Sequence, residues 1–380
     1  MLVGVLVLVA ACGEGGACGA PAKPEGWMPP SPVDGEQVLD GDTLYVTLDA
    51  GRISSIDMSE EPWSENWDFG GKDDFQCGNE SQVDSGRELK GIYGSPVVYQ
   101  DRVFFGAYDG NVYALDTANG SCVWVFEGSD GPIVGGVTLA GDVLYFGSDD
   151  GNLYGVDPST GEQRIAFDAG GSIWSTPLAD ENHLYFATMN GKLWAVTVPE
   201  FHPAWPDGPF ETSAGLLTDP LIVDGVLIVG GIGKELFGLD PATGEEVWDE
   251  PFEGDNWWWG DPAMDGNTLY FPNMDHRVYA VDAASGDAVW DAGFKANEAI
   301  RSAPALADGS LTVVDREGNV FTVNAESGQA EQSAPKVLDK KVLANPALVG
   351  DGVLIVTQSG DLYQLDPSGE SPPTVLEVVE

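Results

Sequence analysis

Acidic residues outnumber basic ones by 62 to 16 in a chain of 380 residues, leaving a formal net charge of −46. That balance excludes nonspecific binding to nucleic acid phosphates and disfavours contact with anionic lipid headgroups, because there is no basic stripe to offset it. With 50 Gly and 25 Pro, and no sustained amphipathic period, the chain is also poor material for a helical fold.

Residues 1–11 are an uninterrupted small and apolar run that ends Val9-Ala10-Ala11-Cys12. A bilayer-spanning helix needs about 20 apolar residues, so this run reads as a processed signal segment. It is similar to a lipobox, in which small residues precede a cysteine that becomes the lipidated first residue of the mature chain. The likeness marks Cys12 for lipidation. No Lys or Arg precedes the run, which departs from the usual charged start, and an ordinary secretory signal is the alternative. Cys18, after Gly-Gly-Ala, fits the box less well. Residues 12–32, rich in Gly, Ala, Pro and Glu, read as a flexible tether.

From residue 33 onward one motif recurs. Its last position falls at Asp57, Asp116, Asp157, Thr197, Asp240, Asp282, Asn324 and Asp366. After a first step of 59, the steps are 41, 40, 43, 42, 42 and 42. In the fullest copies the order is Val-Tyr-Ala-Leu-Asp116, Gly120, Trp124; Leu-Phe-Gly-Leu-Asp240, Gly244, Trp248; and Val-Tyr-Ala-Val-Asp282, Gly286, Trp290. The Thr197 copy keeps Trp205 without the glycine turn, and Ile165 and Gln332 replace the tryptophan elsewhere.

A second block upstream, such as 96–105 or 262–271, sets two apolar runs around a turn, as in a hairpin. Each unit therefore predicts four short strands. Turns such as Tyr108-Asp109-Gly110-Asn111 join the second to the third, with glycine supplying the positive φ of a tight hairpin. A period of about 40 to 45 residues with four strands is the signature of a propeller blade. The fold class expected is all-β: an eight-bladed β-propeller of four-stranded antiparallel blades over 33–380. The recurring small residue of the third strand (Ala114, Gly155, Ala195, Gly238, Ala280) should leave room for a large side chain of a neighbouring blade, with the tryptophans filling it. Whether 374–379 completes the last blade or pairs with the first stays open.

The Gly-x-Val-Tyr-Ala-Leu-Asp, Thr-Gly, Trp pattern resembles the PQQ-like repeat. Among chains of this length it is similar to the BamB-type lipoproteins of the bacterial outer-membrane β-barrel assembly machinery. The resemblance covers nearly everything after residue 33. It implies a lipid-anchored, monomeric scaffold in the cell envelope that holds a protein partner, with no cofactor. The place implied is the periplasmic face of an outer membrane where the host has one, and otherwise the cell surface. The same repeat occurs in quinoprotein dehydrogenases, so an enzyme using PQQ, or a small-ligand sensor, is the alternative. Those enzymes carry an adjacent cysteine pair and a calcium-binding set that have no counterpart in this sequence.

Four cysteines do not make a disulfide scaffold. Cys77 lies in the insertion behind the 59-residue step, and Cys122 lies on the fourth strand of the next unit. Outside the cytoplasm the two could pair, closing a loop worth roughly 4 kcal/mol in the chain-entropy model; two separate thiols are the alternative. His183, His202 and His276 stand in three different units without metal-ligand spacing, and acidic turns such as Asp149-Asp150-Gly151 lack the pattern of a calcium loop. No catalytic, cofactor or metal residue is assigned.

Candidate binding residues come from the alignment. Three residues before the position that aligns with the opening proline of each unit stand Asp34, Tyr93, Val134, Trp174, Leu217, Trp259, Arg301 and Leu343. These should ring one mouth of the central channel, with Trp, Tyr and Arg as the side chains that dominate binding hot spots. Beside them, Trp257-Trp258-Trp259 cannot all point into one core, so at least one should lie at the surface or plug the mouth. The long segment 199–214 is expected to border the same face.

Overall fold

The computed structural model describes residues 37–48, 51–60, 63–70, 89, 91–332, 336–338, 340–342, 344–350, 352–357, 361–366 and 373–376. The chain divides into two units, Met1–Ser31 and Pro32–Glu380, and every described residue belongs to the second. Cys12, Asp34, Cys77 and Leu343 lie outside the described residues.

Among the described residues, thirty-two strands build eight four-stranded antiparallel sheets, each from four strands consecutive in sequence. They are the blades of a β-propeller: blade 1 at 37–69, then 97–126, 138–168, 178–211, 221–253, 263–295, 305–337 and blade 8 at 347–376. The last strand, Thr374–Leu376, pairs with Leu362–Leu365 inside blade 8. The alternative left open for the chain end therefore resolves in favour of a fourth strand of the last blade.

Continuous apolar runs such as Val103-Phe104-Phe105 follow from a sheet that is covered on both faces. Successive side chains of a strand point to opposite faces, and here each face meets a neighbouring blade. Val103, Phe105, Tyr113 and Leu115 pack toward blade 1; Phe104, Val112, Ala114 and Trp124 pack toward blade 3. The hydrophobic core is thus divided into walls, one between each pair of adjacent blades. The wall made by Leu44, Val46 and Ile56 with Leu354, Val356 and Leu362 joins blade 1 to blade 8 and closes the ring.

The repeated residues are explained by these walls. The indole N–H of Trp124 donates to the Pro158 carbonyl of the next blade at 3.0 Å, and those of Trp205, Trp248 and Trp290 donate in the same way to Pro241, Ala283 and Ala325. The turn glycine of the next blade lies on the indole: a Cβ on Gly286 would stand 2.5 Å from Trp248 Cδ2. Trp67, ten residues after Asp57, makes the same bond to Thr117 at 2.9 Å. A longer turn had hidden it from the eight-residue spacing. One expectation is corrected: the small third-strand residue makes room for the tryptophan of its own blade. Gly238 would meet Trp248, and Ala114 pairs directly with Trp124.

The recurrent aspartate caps a turn. Asp116 Oδ1 accepts the backbone N–H groups of Ala118 and Asn119 at 3.0 and 3.2 Å, and Asp157, Asp240 and Asp282 do the same two and three residues on. His276 stands at φ 75°, the left-handed position that Gly110 and Gly151 fill in other blades.

Candidate functional site

Because the four strands of each blade run antiparallel in sequence order, the end of the second strand and the end of the fourth lie on one face, here termed the mouth face. The turns between first and second and between third and fourth strands lie on the other. The loops that leave blades 2 to 7 contribute residues to the central cavity before they enter the next blade.

Six residues of the aligned ring meet there. Tyr93, Val134, Trp174, Leu217, Trp259 and Arg301 line one cavity of about 110 Å³. The Arg301 guanidinium carbon sits 4.2 Å from the centroid of the Trp259 ring, within the range of a cation–π contact. Trp174 and Trp259 face each other edge-on with centroids 6.5 Å apart. Trp174 is held from outside by its indole N–H, which donates to Asp149 Oδ1 at 2.7 Å. Tyr93 packs edge-on against Tyr108, which is 46% exposed.

The three consecutive tryptophans separate. Trp257 is 44% exposed, Trp258 is fully buried in the wall between blades 5 and 6, and Trp259 faces the channel. The main chain enforces this split, since the Trp258 N–H donates to the Gly231 carbonyl while the Trp257 carbonyl accepts from Met274. The expectation for 199–214 is corrected. The segment leaves the third strand on the opposite face, bridges back through Val196 and Pro203, carries Trp205 into the wall, and reaches the mouth face only where the Thr212 N–H meets the Gly191 carbonyl.

One layer of the neck went unread in the sequence. At three places a residue just before one blade hydrogen-bonds its counterpart from the next loop. Gly136 N–H donates to Thr176 Oγ1 at 2.8 Å, Thr176 N–H to Asp219 Oδ1 at 2.6 Å, and Ala303 N–H to Asn345 Oδ1 at 2.6 Å. The signal was available, because the column beside the aligned proline reads Ser95, Gly136, Thr176, Asp219, Asp261, Ala303 and Asn345. Each of these residues is small or carries a side-chain hydrogen-bonding group. The backbones approach so closely that a Cβ on Gly94 would lie 2.2 Å from the Gly136 nitrogen.

Asp219 is half-buried and lines the channel cavity. Burial pushes its carboxyl up to about 6 against the lowering effect of the Thr176 amide. Asp261 stands in the same cavity.

Charge on the mouth face is sorted by sector. Blades 2 and 3 present Asp109, Glu127, Asp130, Asp149, Asp150 and Asp168, and no Lys or Arg occurs between Arg102 and Arg164. Both of those arginines are on the other face, bound to turns at Pro158 and Ser159 and at Asp142. Asp150 stays ionised: burial raises its carboxyl, yet donors from Asn152, Asp130 and Tyr154 outweigh it and hold it below the ordinary value. Among the described residues, the cations of the mouth face stand on the other blades: Arg52 and Lys192 on the flanking blades 1 and 4, paired with Asp68 and Glu211 of their own blades, and Lys234, Arg277, Lys295, Arg301, Arg316 and Lys340 on later ones.

Cys122 is disulfide-bonded. Among the described residues, no three His, Cys, Asp or Glu side chains converge to hold a metal ion.

The family profile described as "Outer membrane protein assembly factor BamB" matches residues 33–135, 110–257 and 254–371. No curated protein matches the sequence significantly. Among solved structures, BamB from Moraxella catarrhalis is similar with a TM-score of 0.66 and 17% identity, over 86% of this chain and 92% of that one. The computationally designed Ika8 protein is similar with a TM-score of 0.68 and 12% identity, over 87% of this chain and 95% of that one.

Proposed function

We propose a function from the premise that this chain belongs to the family of the outer membrane protein assembly factor BamB: it is a non-enzymatic scaffold of the cell envelope that holds a protein partner on its mouth face. The observation that carries this reading is the gathering of Tyr93, Trp174, Trp259 and Arg301 at one channel mouth, with Trp257 and Tyr108 exposed on the same face. Rigid aromatic side chains and arginine contribute large contact area at low entropic cost, which suits a protein interface. Among the described residues the opposite face gathers no such cluster, and Asp116, Asp157, Asp240 and Asp282 cap its turns.

The finer assignment is that Cys12 carries the lipid, that residues 12–32 are the tether, and that the propeller acts as a monomer in the assembly of outer-membrane proteins. It is supported by the lipobox-like Val9-Ala10-Ala11-Cys12 and by the family match. The quinoprotein alternative fits less well. A cavity of about 110 Å³ is well below the roughly 300–1,000 Å³ of sites that enclose a cofactor-sized ligand, and Thr176, Asp219 and Asn345 of its lining already bond neighbouring loops.

The test is capture of partners by the native lipoprotein from membranes of its own host, beside the double variant Trp257→Ala/Trp259→Ala. Co-purification of β-barrel assembly components with the native chain, reduced at least tenfold by the variant, is the expected result. Undiminished capture by the variant would remove the mouth face from the assignment. Absence of such components from an outer-membrane host would remove the assembly role. Mass spectrometry of the mature N-terminus decides the lipid on Cys12.

A further inference from the structure

Resting on the scaffold reading above, we infer that the partner presents a Lys- or Arg-bearing segment, which lies across blades 2 and 3 of the mouth face and ends at the channel mouth beside Trp174. Three independent features converge on a basic occupant in this one sector.

The first is the acidic tract itself. Glu127, Asp130 and Asp168 are exposed, Asp109, Asp149 and Asp150 are half-buried beside them, and among the described residues no cation of these two blades stands on this face. Several of these carboxylates are fixed in place. Asp109 accepts from the Tyr113 hydroxyl at 2.7 Å, and Asp150 from the Tyr154 hydroxyl at 2.9 Å. Anchored carboxylates lose less entropy on meeting a cation than mobile ones do.

The second feature is the join between tract and mouth. Asp149 accepts the Trp174 indole N–H and so belongs both to the tract and to the aromatic wall. A cation that follows the tract inward meets an indole and then the carboxylates of Asp219 and Asp261. Indole faces and desolvated carboxylates both favour a cationic group. The mouth already seats one such group, since Arg301 lies over Trp259.

The third feature is the boundary. Lys234, Arg277, Lys295, Arg301, Arg316 and Lys340 occupy the later blades of the same face, and Arg52 and Lys192 stand on the two flanking blades, each paired with a carboxylate of its own blade. Like charge would repel a basic segment from that sector. The cations elsewhere on the face thus confine a basic segment to blades 2 and 3.

The test must separate this sector from the general acidity of the chain. The probe is a fluorescein-labelled Gly-Ser peptide carrying five arginines, read by anisotropy on the intact protein at low and physiological salt, beside a five-glutamate peptide. Two variants change charge equally: Glu127→Gln/Asp130→Asn/Asp168→Asn on the tract, and Glu245→Gln/Glu246→Gln/Asp249→Asn on the opposite face. All six positions are exposed, so both variants should fold.

The expected result is binding of the arginine peptide alone. The tract variant should weaken it by roughly 3- to 30-fold, the opposite-face variant by less than twofold, and added salt should weaken it further. Equal loss in both variants, or no binding, would overturn the inference. If the host partner is captured through Trp257 and Trp259 while the peptide shows no preference for the tract, the scaffold reading stands and this one falls.

Discussion

The Thr176 amide donates to the Asp219 carboxylate at 2.6 Å, and that bond ties the loop entering blade 4 to the loop entering blade 5 at the neck of the channel. Asn345 performs the same task for Ala303 with a neutral amide. A charge is therefore not required for the join, and at Asp219 burial acts against it.

Asp219→Asn should be more stable than the parent near neutral pH. The folded carboxyl is raised to about 6 from 3.8, so the folded state binds its proton more tightly than the unfolded chain. The stabilising contribution is complete below about pH 4 and is lost as pH rises through about 6. The variant should gain on the order of 1–2 kcal/mol at about pH 7.5 and almost nothing at about pH 4. Urea unfolding at the two pH values checks this, and a gain that does not depend on pH would refute it.

Gly286→Ala should destabilise the wall between blades 5 and 6. The residue sits at φ 76°, and its new Cβ would stand 2.5 Å from the Trp248 ring. A loss of about 2–4 kcal/mol is expected from backbone strain and overpacking together. Trp248→Phe keeps much of the apolar contact but deletes the bond to Ala283 at 3.0 Å, with a loss of about 1–3 kcal/mol. Thermal denaturation of both variants measures the order.

The Tyr154 phenol should titrate late. Burial, and then the hydrogen bond and charge of Asp150, push it up to about 12. Asp150→Asn should bring it toward the ordinary tyrosine value near 10, as read by ultraviolet absorbance against Tyr154→Phe. Since the folded value is the raised one, this group's contribution to stability is intact below about pH 10 and disappears as pH climbs through about 12.

Non-reducing peptide mapping should recover a fragment that links Cys122 to Cys77. Cys122 is disulfide-bonded, and closing a loop of that size contributes roughly 4 kcal/mol in the chain-entropy model. Cys122→Ser should lower the melting temperature under oxidising conditions and match the reduced parent. A Cys122 peptide linked to Cys12 or Cys18 would refute the pairing.

Much of the mouth was legible because ring position is a column in the repeat alignment. Tyr93, Trp174 and Arg301 share no local motif, yet each stands three residues before the residue that opens a blade, and eightfold repetition turns that offset into a place. The Trp67 bond was not legible, because an enlarged turn shifted it from the expected spacing. The path of 199–214 was misread for a related reason: a long, proline-rich segment looked like a loop although its residues complete a fourth strand.

Taken alone, the sequence determined the number of blades, their four-strand build and the wall-filling role of the recurrent residues, because strand alternation and turn chemistry are local and were repeated eight times. Only the tertiary structure decided how the loops interlock at the neck, which of three adjacent tryptophans reaches solvent, and which charges share a face. Those relations join residues some forty positions apart, and they exist only after the ring has closed and brought successive loops within hydrogen-bonding distance.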